Sequence, residues 1–442
     1  MTRDLTFPAA RRYPRRVRVE ILNTGSELML GFVTNTHLNY LARKLGELGL
    51  EVAKQTTVGD SADEMRAAFR ECAERADLLI VTGGLGPTSD DITRDIAAEF
   101  FGRKLFLNDA VLKTIRDRFS LSKRPMPKQV EVQAMVPEGA TVLPNANGTA
   151  PGLALLIQNP KSKIPNLVLL LPGPPRELYP MFEEHALPLI RKHAGQSAPL
   201  AIRILRIACL GESAIAERIG DLVKDLQGVE LGYCARPAEV DVRILARSKS
   251  AEEGGEVKAI ADEAVWRFRS ALGISIYGEG ETRLEEVVVR LLTEKRQTLA
   301  VAESCTGGFL SSRITNVGGS SAVFINGLIT YANEAKNRLL GVSNEMLQQH
   351  GAVSEPVARQ MAQAVRLTSK TDYGIGITGI AGPTGGTPEK PVGTTFIALA
   401  SADGGDVTQH TFRFDRETFK FVASQYALEK LRRKILKLTD LR

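Results

Sequence analysis

Thr298-Leu299-Ala300-Val301-Ala302-Glu303-Ser304-Cys305-Thr306-Gly307-Gly308-Phe309 sets an apolar run directly against a turn. Thr298 to Val301 predicts a buried strand, and Phe309 to Thr315 the start of a helix. A strand that turns at once into a helix is the repeating unit of an α/β fold. The turn itself, Ala302 to Gly308, admits two readings. In one, Ser304 is a nucleophile, and backbone N–H groups near Thr306 and Gly307, at the N-terminus of the following helix, hold a developing oxyanion. In the other, Gly307-Gly308 only tightens the turn and Ser304 or Thr306 is an N-cap.

Outward from that stretch, 442 residues are too many for one ordinary core and predict two or three domains. With 43% hydrophobic and 24% charged residues the composition is that of a soluble globular protein. No apolar run approaches a membrane span, so no membrane partner is expected. The net charge of +6 is concentrated early, at Arg11, Arg12, Arg15, Arg16 and Arg18. Met1 to Arg16 lacks the apolar core of a secretory signal and reads as a disordered basic tail; nucleic acid is not the expected partner. Cys72, Cys209, Cys234 and Cys305 are far apart with no CxxC, which argues against a zinc site and for reduced thiols in the cytoplasm.

Ahead of the opening stretch, strands and helices alternate from Val17 to Val81, which predicts a parallel sheet covered on both faces. Ligands of such sheets sit beyond the carboxyl ends of the strands. There the polar clusters fall: Thr24 to Glu27, Gly59-Asp60, and Thr82 to Asp91 with Gly83, Gly84 and Gly86. Those glycines let backbone amides approach an anion. Asp90 and Asp91 either cap the helix predicted from Ile92 to Phe101 or ligate a hard, Mg²⁺-like ion beside a phosphate. Arg203 to Ala271 predicts a small α+β block holding the only tryptophan, Trp266, followed by a glycine-rich charged linker, Tyr277 to Thr282.

Beyond the opening stretch come further strands, Phe324 to Tyr331, Tyr373 to Ile377, Thr394 to Ala400 and Thr408 to Phe414, and a final basic helix capped at Asp415-Arg416. Lys336 begins the helix after Tyr331. It is either a solvated surface lysine or, if burial or a nearby cation lowers its pKa, the base for Ser304, as in Ser-Lys variants of acyl transfer. Tyr331 either finishes its strand, or relays the proton or orients Lys336. His350 reads as a packing or capping residue. The loop holding Thr378, Gly379 and Gly382 is either a plain glycine turn or a phosphate cradle. Arg416 is either a surface arginine or a fork for that phosphate.

Several of these segments resemble one family. Asn23 to Gly31, Thr82 to Thr93, Pro144 to Gly152 and Leu170 to Pro175 are similar to the MoaB/MogA-type molybdopterin-binding domain, and closer to the N-terminal domain of the competence/damage-inducible CinA family. The α+β block resembles that family's KH-like middle domain, without the GXXG loop of RNA-binding KH domains. Ala302 to Gly308, Gly327 to Lys336, Gln349 to Pro356 and Gly376 to Gly393 resemble the CinA C-terminal domain. The resemblance implies α/β architecture throughout: a parallel-sheet MoaB/MogA-like domain (17–195) after the tail (1–16), a KH-like α+β domain (196–276), a linker (277–283) and an α/β C-terminal domain (284–442).

It also implies hydrolysis of nicotinamide mononucleotide (NMN) to nicotinic acid mononucleotide and ammonia, a step of pyridine-nucleotide salvage, with no cofactor for the deamidase. By motif position Asp60 and Asp91 would line the first domain's ligand site and hold a divalent metal. Some members carry a metal-dependent ADP-ribose pyrophosphatase activity there, so NMN and ADP-ribose are the small-molecule partners implied. Homo-oligomers are common in the family. The alternative from a different class is a nucleotide- or pterin-binding regulatory protein, linked to competence or DNA damage, without turnover. One departure stands out: where relatives often read Asn-Thr-Asn, this chain has Asn35-Thr36-His37, expected as a neutral surface change on a helix or a change of ligand.

Overall fold

The computed structural model describes residues 17–158, 166–194, 200–247 and 254–438. The expected basic tail lies outside the described residues. The chain divides into two compact units: one runs to Ala201 and takes in Arg247–Lys258, the other comprises Ile202–Ala246 and the chain from Ala259 on.

The first unit is built on β1 (Val19–Thr24), α1 (His37–Gly46), β2 (Val52–Val58), α2 (Ala62–Arg75), β3 (Leu78–Thr82), α3 (Thr93–Phe100), α4 (Asp109–Leu121), β4 (Thr141–Leu143), β5 (Gly152–Ile157), β6 (Asn166–Leu171) and α5 (Pro175–Met181). Its sheet runs β2-β1-β3-β6-β5-β4. The first four strands are parallel, as the alternation predicts, but β5 runs antiparallel to both its neighbours, β6 and β4, so the sheet is mixed. The reason is length: only residues 158–165 join β5 to β6, fewer than the dozen or so that a parallel crossover needs. Every residue of β1, β3 and β6 is buried, as expected of central strands covered on both faces. One face is packed by α2, α3 and α4 through Met65, Phe69, Ile96 and Ile115, the other by Leu41, Leu45, Leu178 and Phe182. Truncating a leucine in such a core costs roughly 2–5 kcal/mol.

The second unit begins with β7 (Leu200–Ala208), α6 (Glu212–Lys224), β8 (Val229–Arg236), β9 (Glu239–Arg247), α7 (Gly254–Leu272) and β10 (Ile276–Glu279), forming a sheet ordered β8-β9-β7-β10. The run from Tyr277 is therefore not simply a linker. Its first residues close this sheet, antiparallel to β7. Tyr277 is buried and its hydroxyl donates to the Glu239 carboxylate. An aromatic residue with a polar tip and a buried acceptor is better held in a sheet than in solvent.

There follow α8 (Leu284–Lys295), β11 (Leu299–Glu303), α9 (Phe309–Thr315), β12 (Phe324–Ile329), α10 (Asn333–Leu340), α11 (Asn344–His350), α12 (Glu355–Ser369), β13 (Tyr373–Gly379), β14 (Thr394–Ser401), β15 (Gly404–Thr411) and α13 (Arg416–Ile435). Their sheet is β12-β11-β13-β14-β15, parallel across the first three strands and antiparallel thereafter. Asp415 caps α13 by accepting from the amides of Glu417 and Thr418, both at 3.0 Å. Among the described residues no helix is long and apolar enough to cross a membrane.

Candidate functional site

In the second unit, β11 is the middle of three parallel strands, and the turn after it emerges at their carboxyl ends. Gly307 (φ 60°) and Gly308 (φ 92°) both take left-handed conformations, which explains a glycine pair at the one place where the chain must reverse within two residues. Helix α10 follows the neighbouring strand β12 and returns Lys336 to the same spot. Lys336 Nζ lies 3.0 Å from Ser304 Oγ, 2.8 Å from the Thr330 carbonyl oxygen and 3.1 Å from that of Tyr331. The lysine is only 1% exposed, and Ser304 is also buried. Burial lowers the Lys336 pKa from its ordinary value. As an ammonium Lys336 donates to all three oxygens; as a neutral amine it serves the two carbonyls and turns its lone pair to the Ser304 hydroxyl.

The expected free amides at the helix N-terminus are corrected. Glu303, fully buried, accepts from the amides of Gly308 (3.1 Å), Leu310 (3.0 Å) and Ser311 (2.8 Å) and from the Ser311 hydroxyl (2.6 Å). The Gly307 amide donates to the Ser304 carbonyl at 3.1 Å, so it is engaged within the turn and is not a free oxyanion donor. The amides of Cys305 and Thr306 remain, both directed at the Cys305 sulfur, whose pKa burial pushes up to about 12. Thr306 is fully buried and its hydroxyl has no hydrogen-bond partner.

Tyr331 reaches Lys336 through its main chain only. Its side chain is 60% exposed, and its hydroxyl accepts from Arg416 Nη2 at 2.7 Å. Arg416 Nη1 donates to the Gly382 carbonyl at 2.8 Å. Each Nη nitrogen thus spends one N–H on protein, which makes Arg416 a clamp between two loops while leaving the other N–H groups of the guanidinium for an anion. The Thr378 hydroxyl is likewise engaged, donating to the Ala352 carbonyl at 2.8 Å. Gly379 packs against Cys305: a Cβ there would stand 3.2 Å from its sulfur. Gly382 has φ 74° and faces Val392. His350 ends α11, exposed, and contributes its carbonyl to Lys390.

The first unit has a cleft of about 560 Å³ at the carboxyl ends of its parallel strands, and it gathers Asp60, Asp90, Asp91, Gly83, Gly84 and Gly86. Asp60 Oδ2 accepts from the Ser26 amide at 2.8 Å, tying two strand ends together. Asp91 Oδ2 accepts from the Thr88 amide at 2.9 Å and from the Thr88 hydroxyl; it closes this loop and does not cap α3, whose N-cap position is Ile92. The Thr88 hydroxyl also lowers the Asp90 pKa.

His37 corrects the surface expectation. It is buried on the cleft wall, Nδ1 3.0 Å from Thr82 Oγ1, and burial lowers its pKa, with a smaller opposing contribution from the Gly173 backbone. Since Asn23 Nδ2 donates to the same Thr82 oxygen at 2.7 Å, the Thr82 proton is free to reach His37 Nδ1. Sequence reasoning also missed Asn35 and Gln133. Both line the cleft, and Asn35 Nδ2 and Gln133 Oε1 are buried without partners. An unpaired amide has no signature in a sequence. Glu303 was legible in principle, as an acid closing an apolar strand just before two glycines.

Among the described residues no group of three or more His, Cys, Asp or Glu is placed to hold a metal ion. Mg²⁺-like ions, however, commonly take only one or two carboxylates and complete their shell with water and substrate phosphates. Asp60 and Asp91 meet that lesser requirement.

Family models match three stretches: the "CinA C-terminal domain" over residues 281–435, the "Probable molybdopterin binding domain" over 20–192 and the "Damage-inducible protein CinA KH domain" over 202–278. A Caldicellulosiruptor bescii protein carrying a competence-damage inducible name is 44% identical over 417 residues, 94% of this chain and 99% of that one. The Kosmotoga olearia "CinA-like protein" is 42% identical over 422 residues, 96% of this chain and 100% of its own. A crystal structure of a CinA superfamily protein from Klebsiella pneumoniae aligns with 35% of this chain and 96% of its own, at 32% identity and a TM-score of 0.34.

Proposed function

The chain belongs to the CinA family, and from that premise we propose that its C-terminal domain hydrolyses the carboxamide of NMN to nicotinic acid mononucleotide and ammonia. The observation that carries this reading is the buried 3.0 Å approach of Lys336 Nζ to Ser304 Oγ. Lys336, neutral, takes the Ser304 proton as Oγ attacks the amide carbon. The amides of Cys305 and Thr306, which the turn's backbone and Glu303 bonds leave over, would turn from the Cys305 sulfur to hold the oxyanion. The tetrahedral intermediate collapses as Lys336 returns that proton to the leaving nitrogen, which departs as ammonia. Water, deprotonated by the same amine, then cleaves the acyl-enzyme. The deamidase needs no cofactor. Ammonia release from NMN by the intact protein, beside Ser304→Ala and Lys336→Ala, tests this: activity lost in both folded variants supports it, and a silent wild type sinks it.

A second reading concerns the first unit. The unpartnered Asn35 Nδ2 and Gln133 Oε1, lining a cleft that also holds glycine amides and carboxylates, favour a phosphorylated ligand with donor and acceptor groups. We propose a nucleoside diphosphate sugar of the ADP-ribose type. Asp60 and Asp91 would hold a divalent ion, which supplies charge neutralisation at the diphosphate. Phosphate release from ADP-ribose with Mg²⁺ and a coupled phosphatase tests turnover. Binding without turnover would instead favour a regulatory ligand site.

A further inference from the structure

Helix α13 carries Arg416 and Lys420 four residues apart, one above the other on the same face. Arg416 is engaged by Gly382 and Tyr331. Lys420 is not engaged. It is half-buried, and a Cβ built on Gly307 would stand 3.7 Å from its Nζ, so the ammonium lies over the turn that presents Ser304. Among the described residues no carboxylate pairs with it, whereas Lys430 on the same helix pairs with Asp406. Lys390 donates to the His350 carbonyl, and Lys336 is buried as described. An ammonium held over the Ser304 turn without a paired carboxylate is placed to take a bound anion.

We propose that Lys420 binds the 5′-phosphate of the mononucleotide while Ser304 attacks its carboxamide, and so selects the nucleotide over its dephosphorylated riboside. The inference rests on the amidase reading of the Ser304 site. It adds to Arg416, which spends one N–H of each Nη on protein, the unpaired cation one turn further along the helix. The chemistry recognised is a phosphate monoester at one end of an amide-bearing substrate.

The test uses the full-length protein, Lys420→Gln, and Lys420→Arg as the conservative rescue, with NMN and nicotinamide riboside as substrates. The ratio of kcat/KM for NMN to that for the riboside is expected to fall at least about tenfold in Lys420→Gln. The loss should lie in KM for NMN and be largely restored in Lys420→Arg. An unchanged ratio overturns the proposal while leaving the amidase intact. A second readout needs no turnover: acetylation of Lys420 by acetic anhydride, followed by peptide mass spectrometry. NMN and inorganic phosphate should protect Lys420, and the riboside should not. If the wild type hydrolyses neither amide yet phosphate protects Lys420, the amidase reading fails and the anion site stands. Equal labelling with and without phosphate and NMN removes the anion site.

Discussion

The Glu303 carboxylate accepts both the amide and the hydroxyl of Ser311, at 2.8 and 2.6 Å, and so fastens the strand before Ser304 to the helix after it. With the Gly308 and Leu310 amides it makes four hydrogen bonds, all as acceptor. Glu303→Gln keeps one oxygen but turns an NH₂ group toward N–H donors. The turn must then shift, and a misplacement of about 1 Å costs roughly a hundredfold in rate. The expected result is a kcat for NMN hydrolysis lowered by about two orders of magnitude, with a lowered thermal midpoint. Steady-state kinetics and a melting curve check both, and an unimpaired Glu303→Gln enzyme would show that the carboxylate does not position Ser304.

The acid limb of the pH–rate profile should report Lys336. Burial disfavours its charged form, so its pKa lies below the ordinary lysine value and the neutral base is populated at lower pH than a solvated lysine would allow. Activity should rise with pH through that pKa. Lys336→Arg should be inactive at every pH, because a guanidinium stays charged. Stability gives an independent check. Between the lowered folded pKa and the ordinary unfolded one, the unfolded chain binds a proton that the folded chain does not. The wild type should therefore gain stability relative to Lys336→Met as pH rises through that window. A difference that stayed flat, read by urea unfolding at several pH values, would mean that Lys336 is not depressed.

Tyr331 and Arg416 make a sharper contrast. The Tyr331 phenol meets Arg416, while only its main-chain carbonyl meets Lys336. A proton relay through the phenol would be worth about 10²–10⁴ in rate. Tyr331→Phe is instead expected to cost less than about tenfold, the loss of one clamp hydrogen bond at an exposed position. A loss of a thousandfold or more would restore the relay and contradict this geometry.

What was legible in the sequence follows from range. The strand–turn–helix at Ser304 and the cleft loops at Gly83 to Asp91 are local patterns, so their residues could be named without coordinates. That Lys336 would be the partner rested on its place beside Tyr331 and on resemblance; its contact with Ser304 spans 32 residues and two parallel strands. Tyr331 shows the limit. Sequence places it at the corner but does not say whether its carbonyl or its phenol faces the lysine. The Tyr277 run shows another: glycine and charge mark a linker, yet a buried acceptor on Glu239 draws the tyrosine into a sheet. His37 lies beyond local reading, because nothing near it in sequence reveals that Thr82 stands beside it.

Acid should destabilise the second unit through His410. Burial, with a smaller contribution from Lys430, lowers its pKa to about 4. It is packed among aromatics, with its ring centroid 5.3 Å from that of Phe412 and 4.7 Å from that of Tyr426. Above about pH 6.5 the imidazole is neutral in both states and costs nothing. Between pH 6.5 and the folded value of about 4 the unfolded chain protonates first, so stability falls as pH falls and levels off below. His410→Phe should flatten that limb, as seen by thermal midpoints across the range. A wild-type midpoint that does not fall between pH 6.5 and 4 faster than that of the variant would exclude His410 as the cause.

Asp91 allows the two proposed activities to be separated. Its carboxylate holds the Thr88 amide and hydroxyl and lines the cleft of the first unit, while Ser304 belongs to the second. Asp91→Asn keeps an oxygen for the Thr88 donors, so the loop should hold, but it removes the negative charge that a divalent ion requires. Mg²⁺-dependent hydrolysis of ADP-ribose should therefore fall on the order of a hundredfold, while ammonia release from NMN remains that of the wild type. A built Cβ on Gly86 meets the Asp91 carboxylate, so Gly86→Ala should displace the acid and give the same pattern by a steric route. If both variants kept full diphosphatase activity, Asp91 would be a loop fastener alone and the metal would have to be held elsewhere. If either variant also lost NMN hydrolysis while remaining folded, the two activities could not be assigned to separate units.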